Sequence, residues 1–170
     1  FLTAAEITMR AFGTMIRQYG EEADKMAIRS ADSAEKENFA EMSRICSKLS
    51  SEKPGTFREA LQLVWFVHVA FVYEGRAAMA LGRLDQYLYP FDQKDIESVI
   101  LTRAQALETV ECTLYKIGEH RYFGDDDVVN IAIGGRKPTG EGGVNDLSYI
   151  ILEAVKNCNI PGPNLSARLY

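Results

Sequence analysis

Between Ala60 and Tyr73 the chain reads ALQLVWFVHVAFVY, with no Asp, Glu, Lys or Arg. Thr56 and Glu59 stand just before it at capping-box spacing, so the run begins as a helix. That helix is apolar on nearly every face. A helix on the surface of a small domain keeps one polar face. This one predicts protein all around it, which suits the centre of a body larger than 170 residues. It is not a membrane span. Gln62 and His68 interrupt the apolar stretch from Leu61 to Tyr73, which falls short of the ~18–20 residues a span needs.

The rest of the composition is that of a globular protein: 46% hydrophobic, with 24 acids against 19 bases and a net charge of −5. Net acidity argues against nucleic acid or an anionic membrane surface as partner. Two histidines cannot make a histidine-rich metal site. Cys46, Cys112 and Cys158 are far apart, with no CxxC or zinc spacing. They read as buried or incidental thiols of a reducing cytoplasm. No secretory leader is visible. Because the chain begins at Phe1, a processed start or an excerpt of a longer polypeptide is expected.

Apolar residues at Leu2, Ala5, Met9, Phe12, Met15, Ile16 and Tyr19 recur at helical spacing, with Gly20 expected to end or loosen that helix. Asp32 and Glu35 have capping-box spacing and open a second helix to about Leu49. Pro54 and Gly55 mark a loop. After the apolar helix, Gly75, Ala77, Ala78, Ala80 and Gly82 form a turn dense in small residues, open to close approach by backbone or ligand. An Arg–Asp pair follows in GRLDQ. Thr102 and Gln105 open another helix. VVNIAIGG is β-rich and ends at paired glycines, KPTGEGG is a flexible turn, and NDLSYIILEAVKNCN is helical. PGPNLSARLY ends the chain in a strand, apparently cut mid-element.

Taken as residue types, no complete catalytic set emerges. IGGRKPTGEGG is neither GxxxxGK[ST] nor GxGxxG, so its glycines read as a turn. Asp125, Asp126 and Asp127 lack EF-hand spacing and read as solvated. His68 reads as a core histidine rather than a base. His120 suits the dipole at a helix end. Residue by residue, the chain is an interior segment of a larger α/β protein.

The ordered phrases TFREALQLVWFVH, EGRAAMALGRLDQYLYPF, NIAIGG, NDLSYIILEAV and PGPNLSARL resemble the glycyl radical enzymes, the pyruvate formate-lyase-like proteins. LGRLDQYLYPF carries the resemblance most specifically. It implies an α/β fold: a mostly helical segment of the family's ten-stranded barrel, with short strands around 127–134 and 164–170. Residues 1–170 would be part of that barrel domain. It also implies a parent enzyme that cleaves C–C, C–O or C–N bonds of a small-molecule substrate in an anaerobic cytoplasm. In that family an activating enzyme, using S-adenosylmethionine and an iron–sulfur cluster, places a radical on a glycine near the C-terminus. The radical passes to a cysteine on a loop inside the barrel. Such parents are commonly homodimers.

The family's radical cysteine and glycine lie beyond the matching stretch, and none of the three cysteines here stands in a matching loop. No catalytic residue is therefore assigned, and the chain alone is expected to be inactive. For substrate binding, the resemblance points to Ala77 and Ala78 in the AAM turn and more loosely to Phe123. Arg83 and Asp85 would fix the loop beside them. The AAM turn is like that of pyruvate formate-lyase, a formate C-acetyltransferase. DQYLYP is more like the dehydratase, decarboxylase and lyase branch, and Val128 stands where pyruvate formate-lyase has a tryptophan. Two other readings remain at this point: a non-catalytic helical scaffold, and one subunit of a split enzyme.

Overall fold

The structure is a computed structural model that describes residues 1–76, 78–119 and 129–169. The chain divides into two compact units, Phe1–Gly55 and Thr56–Tyr170.

The first unit is a helical hairpin of α1 (Leu2–Arg29) and α2 (Ser33–Leu49). The expected stop at Gly20 does not occur: α1 runs through it to Arg29. The reason is packing. Buried Ile16, Gly20, Ala23 and Ala27 form one stripe at spacings of four, three and four. Small residues on that stripe let α2 approach, and a Cβ on Gly20 would lie 2.9 Å from Cys46 Cβ. The glycine is a contact point, which outweighs its poor helix propensity. Asp32 caps α2 by accepting from the Glu35 N–H at 2.8 Å.

The second unit begins with α3 (Phe57–Tyr73), whose Thr56 cap accepts from the Glu59 N–H at 3.3 Å. Then come β1 (Met79–Arg83), α4 (Leu84–Tyr87), α5 (Tyr89–Glu97), α6 (Arg103–Glu119), β2 (Val129–Gly134), α7 (Asp146–Cys158) and β3 (Asn164–Arg168). The three strands form one parallel sheet in the order β1-β2-β3, so β1 and β3 are its edges. The strand expected at 127–134 is β2 from Val129, and the strand expected at 164–170 ends at Arg168. β1 corrects the reading of the small-residue segment as a turn. MALGR has little β propensity, but pairing with β2 supplies the order that composition does not.

The core lies on one face of the sheet. Ile131 and Ile133 of β2 pack with Phe57, Val110, Leu114, Leu147, Ile150 and Ile151 from α3, α6 and α7. Their burial alternates with exposed Asn130, the period of two of a strand covered on one side. All-round burial of α3 is not seen in this chain. Phe57, Leu61, Phe66 and His68 are buried, but Val67, Phe71 and Tyr73 remain exposed. His68 lies among core residues with its ring 5.5 Å from that of Trp65.

Candidate functional site: a clasp beside an open sheet face

The polar residues of GRLDQY do not face a cavity. They bind backbone. Arg83 donates from Nη1 to the Arg136 carbonyl at 2.8 Å and from Nη2 to the Gly134 carbonyl at 2.5 Å. Asp85 is fully buried, and its Oδ2 accepts from the Gly134 N–H at 2.7 Å and the Ser148 hydroxyl at 2.6 Å. Gln86 Nε2 donates to the Gly143 carbonyl, and Asn145 Nδ2 donates to the Asp85 carbonyl at 2.7 Å. The supposed Arg83–Asp85 pair is therefore not an ion pair. The two side chains hold opposite ends of one residue: Arg83 takes the Gly134 carbonyl and Asp85 its N–H. With φ at +70° and +78°, Gly134 and Gly135 turn the chain out of β2. The KPTGEGG segment is then closed as a hairpin by pairing of Arg136 with Gly142. Gly143 fits tightly beneath it; a Cβ there would stand 2.6 Å from Arg83 Nη2 and 2.9 Å from the Gly135 oxygen.

Asn145 and Ser148 cap α7 reciprocally, and Ser148 also donates to Asp85. One buried carboxylate thus joins the end of β2 to the start of α7. The clasp fixes the carboxyl end of β1 and β2. Charge-assisted bonds to backbone donors are stronger than neutral ones, which suits a fixed loop.

Of the candidate substrate-wall residues, only Ala78 is among the described residues, and it lies at the other end of β1. Ala78 is exposed immediately before β1. Ala77 and Phe123 lie outside the described residues, as do His120, Asp125, Asp126, Asp127 and Val128. Met79 pairs with Val129, so Ala78 stands at the start of the paired strands. The face opposite the core carries the row Ala80–Asn130–Asn164, followed by Arg83–Ala132–Ser166. Asn130 and Asn164 were not singled out by sequence reasoning. For Asn130 the interrupted β-branched run is a local oddity, but only the register sets it beside Asn164, which opens β3 after Pro163. A void of about 10 Å³ among Phe57, Leu61, Leu84, Val110 and Ile131 is apolar and too small for a metabolite.

Cys46 is buried in α2, and Cys158 is buried at the end of α7; burial pushes both thiols up. Cys112 is exposed on α6. On α5, Asp92 is buried with both carboxylate oxygens lacking hydrogen-bond partners among the described residues. Desolvation, then the charges of Asp146 and Asp95, push its pKa up to about 6. Among the described residues, no group of three or more His, Cys, Asp or Glu could hold a metal ion. No helix there is long and apolar enough to cross a membrane.

Residues 1–170 match the model of the family described as pyruvate formate lyase-like. The trans-4-hydroxy-L-proline dehydratase of Clostridioides difficile is 32% identical over 181 residues, covering 99% of this chain and 23% of that protein. The 4-hydroxyphenylacetate decarboxylase glycyl radical subunit of Clostridioides difficile is 30% identical over 177 residues, 98% of this chain and 20% of that protein. Among solved structures, a glycyl radical enzyme from Archaeoglobus fulgidus superposes with a TM-score of 0.86 at 31% identity, covering 94% of this chain and 22% of the other. The glycerol-bound B12-independent glycerol dehydratase from Clostridium butyricum also gives 0.86, at 30% identity and 94% and 21% coverage. The chain therefore spans about a fifth of the length of these relatives. A sheet covered by helices on one face, and matching these enzymes over nearly all its residues, is a mostly helical segment of their α/β barrel, and the chain belongs to the pyruvate formate lyase-like family.

Proposed function

We propose that these residues are part of a glycyl radical enzyme of the lyase or dehydratase kind, which cleaves a C–O, C–C or C–N bond in a small metabolite. The family match across all 170 residues carries this reading. Residues 1–170 are then part of a single barrel domain. The clasp of Arg83 and Asp85 steadies the sheet, while Ala77, Ala78 and Phe123 shape the substrate wall. Ala77 and Ala78 bring only methyl groups, which shape a pocket without hydrogen bonding. The radical, when installed, supplies hydrogen-atom abstraction, and these residues supply the wall. An activating enzyme with S-adenosylmethionine and an iron–sulfur cluster installs it in an anaerobic cytoplasm, and the parent enzyme is a homodimer. A second reading, formate C-acetyltransferase, rests on the Ala77–Ala78–Met79 turn. The phrase DQYLYP and the residue Val128 weigh against it.

The test uses the full-length polypeptide that contains these residues, produced anaerobically with its activating enzyme. Electron paramagnetic resonance is expected to show a glycyl radical. Turnover is then sought with glycerol, 1,2-propanediol, trans-4-hydroxy-L-proline, 4-hydroxyphenylacetate, isethionate, and pyruvate with coenzyme A. Cleavage of a C–O or C–C bond in one of the first four is expected; C–S cleavage of isethionate would change the bond class and keep the lyase reading. Acetyl transfer from pyruvate would establish the second reading, and the lack of any radical would overturn both.

A further inference from the structure

β2 is the central strand of a parallel sheet. Such strands are ordinarily covered on both faces and read as near-continuous β-branched runs. β2 keeps that character only toward the helices, through Val129, Ile131 and Ile133. On the other face it places exposed Asn130 and then Ala132. The register sets Asn130 beside Asn164 of β3 and Ala80 of β1, and sets Ala132 beside Ser166. Partnered positions on parallel strands share a face and lie about 4.8 Å apart. Two primary amides therefore stand side by side on that face. Neither has a side-chain hydrogen bond to another described residue. Their neighbours Ala80, Ala132 and Ser166 are small, and Arg83, on the same face beside Ala132, is held to the Gly134 and Arg136 carbonyls, which leaves room above the amides.

A helical layer packs on a sheet through bulky apolar side chains, and this face has none at these positions. It suits a small polar molecule. Each amide offers both donors and an acceptor. A hydroxyl also does both and can satisfy either end. A carboxylate only accepts, so it would engage the amide N–H groups alone and give the amide oxygens no donor. Asn130, inside the central strand, breaks the local strand rule without any gain in packing, which marks a candidate functional position. We infer that Asn130 and Asn164 form a two-amide subsite that selects an uncharged, hydroxyl-bearing substrate. This rests on the lyase or dehydratase reading above, with Ala78 and Ala80 bounding the same wall from β1.

The full-length enzyme, activated as above, is compared with Asn130→Leu and Asn164→Leu, which keep the branching at Cγ and remove the amide. Glycyl radical yield and the KM and kcat for glycerol and 1,2-propanediol are read together. Each variant is expected to raise KM by about tenfold with an unchanged radical yield, because a site built to bond a hydroxyl loses the bond with the amide. An unchanged KM at full radical yield overturns the subsite and leaves the lyase or dehydratase reading standing. Wild-type turnover confined to the carboxylate and sulfonate compounds overturns the assignment to uncharged substrates. A wild-type enzyme that carries no radical overturns both. Where leucine lowers the radical yield through misfolding, Asn130→Ala and Asn164→Ala give the same measurement without the added apolar surface.

Discussion

Asp85 and Asp92 are both buried carboxylates, with opposite surroundings. Asp85 has two donors on one oxygen, from β2 and α7. Asp85→Ala leaves the Gly134 N–H and the Ser148 hydroxyl without that acceptor. It is expected to destabilise the fold by about 3 kcal/mol, measured by urea unfolding. Asp92 has no such donors and a pKa raised to about 6. A raised carboxylate pKa means the folded state favours the proton. Its contribution is fully present below the unfolded value near pH 4 and is lost as pH rises through about 6. Asp92→Asn removes that loss. The stability gap between variant and wild type is therefore expected to shift in the variant's favour by on the order of 2 kcal/mol between pH 4 and pH 7. A gap that does not change with pH would place Asp92 in a more hydrated setting. At the wall, Ala78→Phe in the activated full-length enzyme is expected to abolish turnover while leaving the radical signal intact. Unchanged kinetics would remove Ala78 from the pocket.

Among the elements, the helix starts were legible because a cap is a local event. Asp32 with Glu35, Thr56 with Glu59, and Thr102 with Gln105 each make in space the bond their spacing implies. β2 and β3 were legible from β-branched or flanking turn residues. β1 was not, because MALGR becomes a strand only when β2 lies alongside, and no local pattern encodes a partner some fifty residues away. Gly20 misled for the same reason: its neighbour Cys46 is distant in sequence. The Arg83–Asp85 arrangement misled because nearby opposite charges suggest each other, whereas both find stronger partners in the backbone of Gly134. Asn130 and Asn164 acquired meaning only through register, which sequence spacing cannot supply. Gly143→Ala tests the clasp as an element. Its Cβ would press on Arg83 and the Gly135 carbonyl, so a loss of about 2 kcal/mol is expected by thermal unfolding.

At the scale of the whole molecule, the second unit has helices on one face of its sheet, Asn130, Asn164 and Ser166 on the other, and a clasp at one end. The 170-residue chain produced alone, exposed to an activating enzyme, is expected to give no glycyl radical signal and no turnover. The chain spans only about a fifth of the length of its relatives. A radical signal from the isolated chain would refute that expectation.

The sheet's outer strands have a separate consequence for handling the protein. β1 and β3 each lack a second strand neighbour among the described residues, so each exposes a row of backbone donors and acceptors. Neither strand contains a proline or a lysine, and their charges are Arg83 at the end of β1 and Arg168 at the end of β3. An ensemble of such chains can join edge to edge. Solubility would then fall with concentration well before the helical core melts, and yield would be governed by strand association rather than by folding free energy.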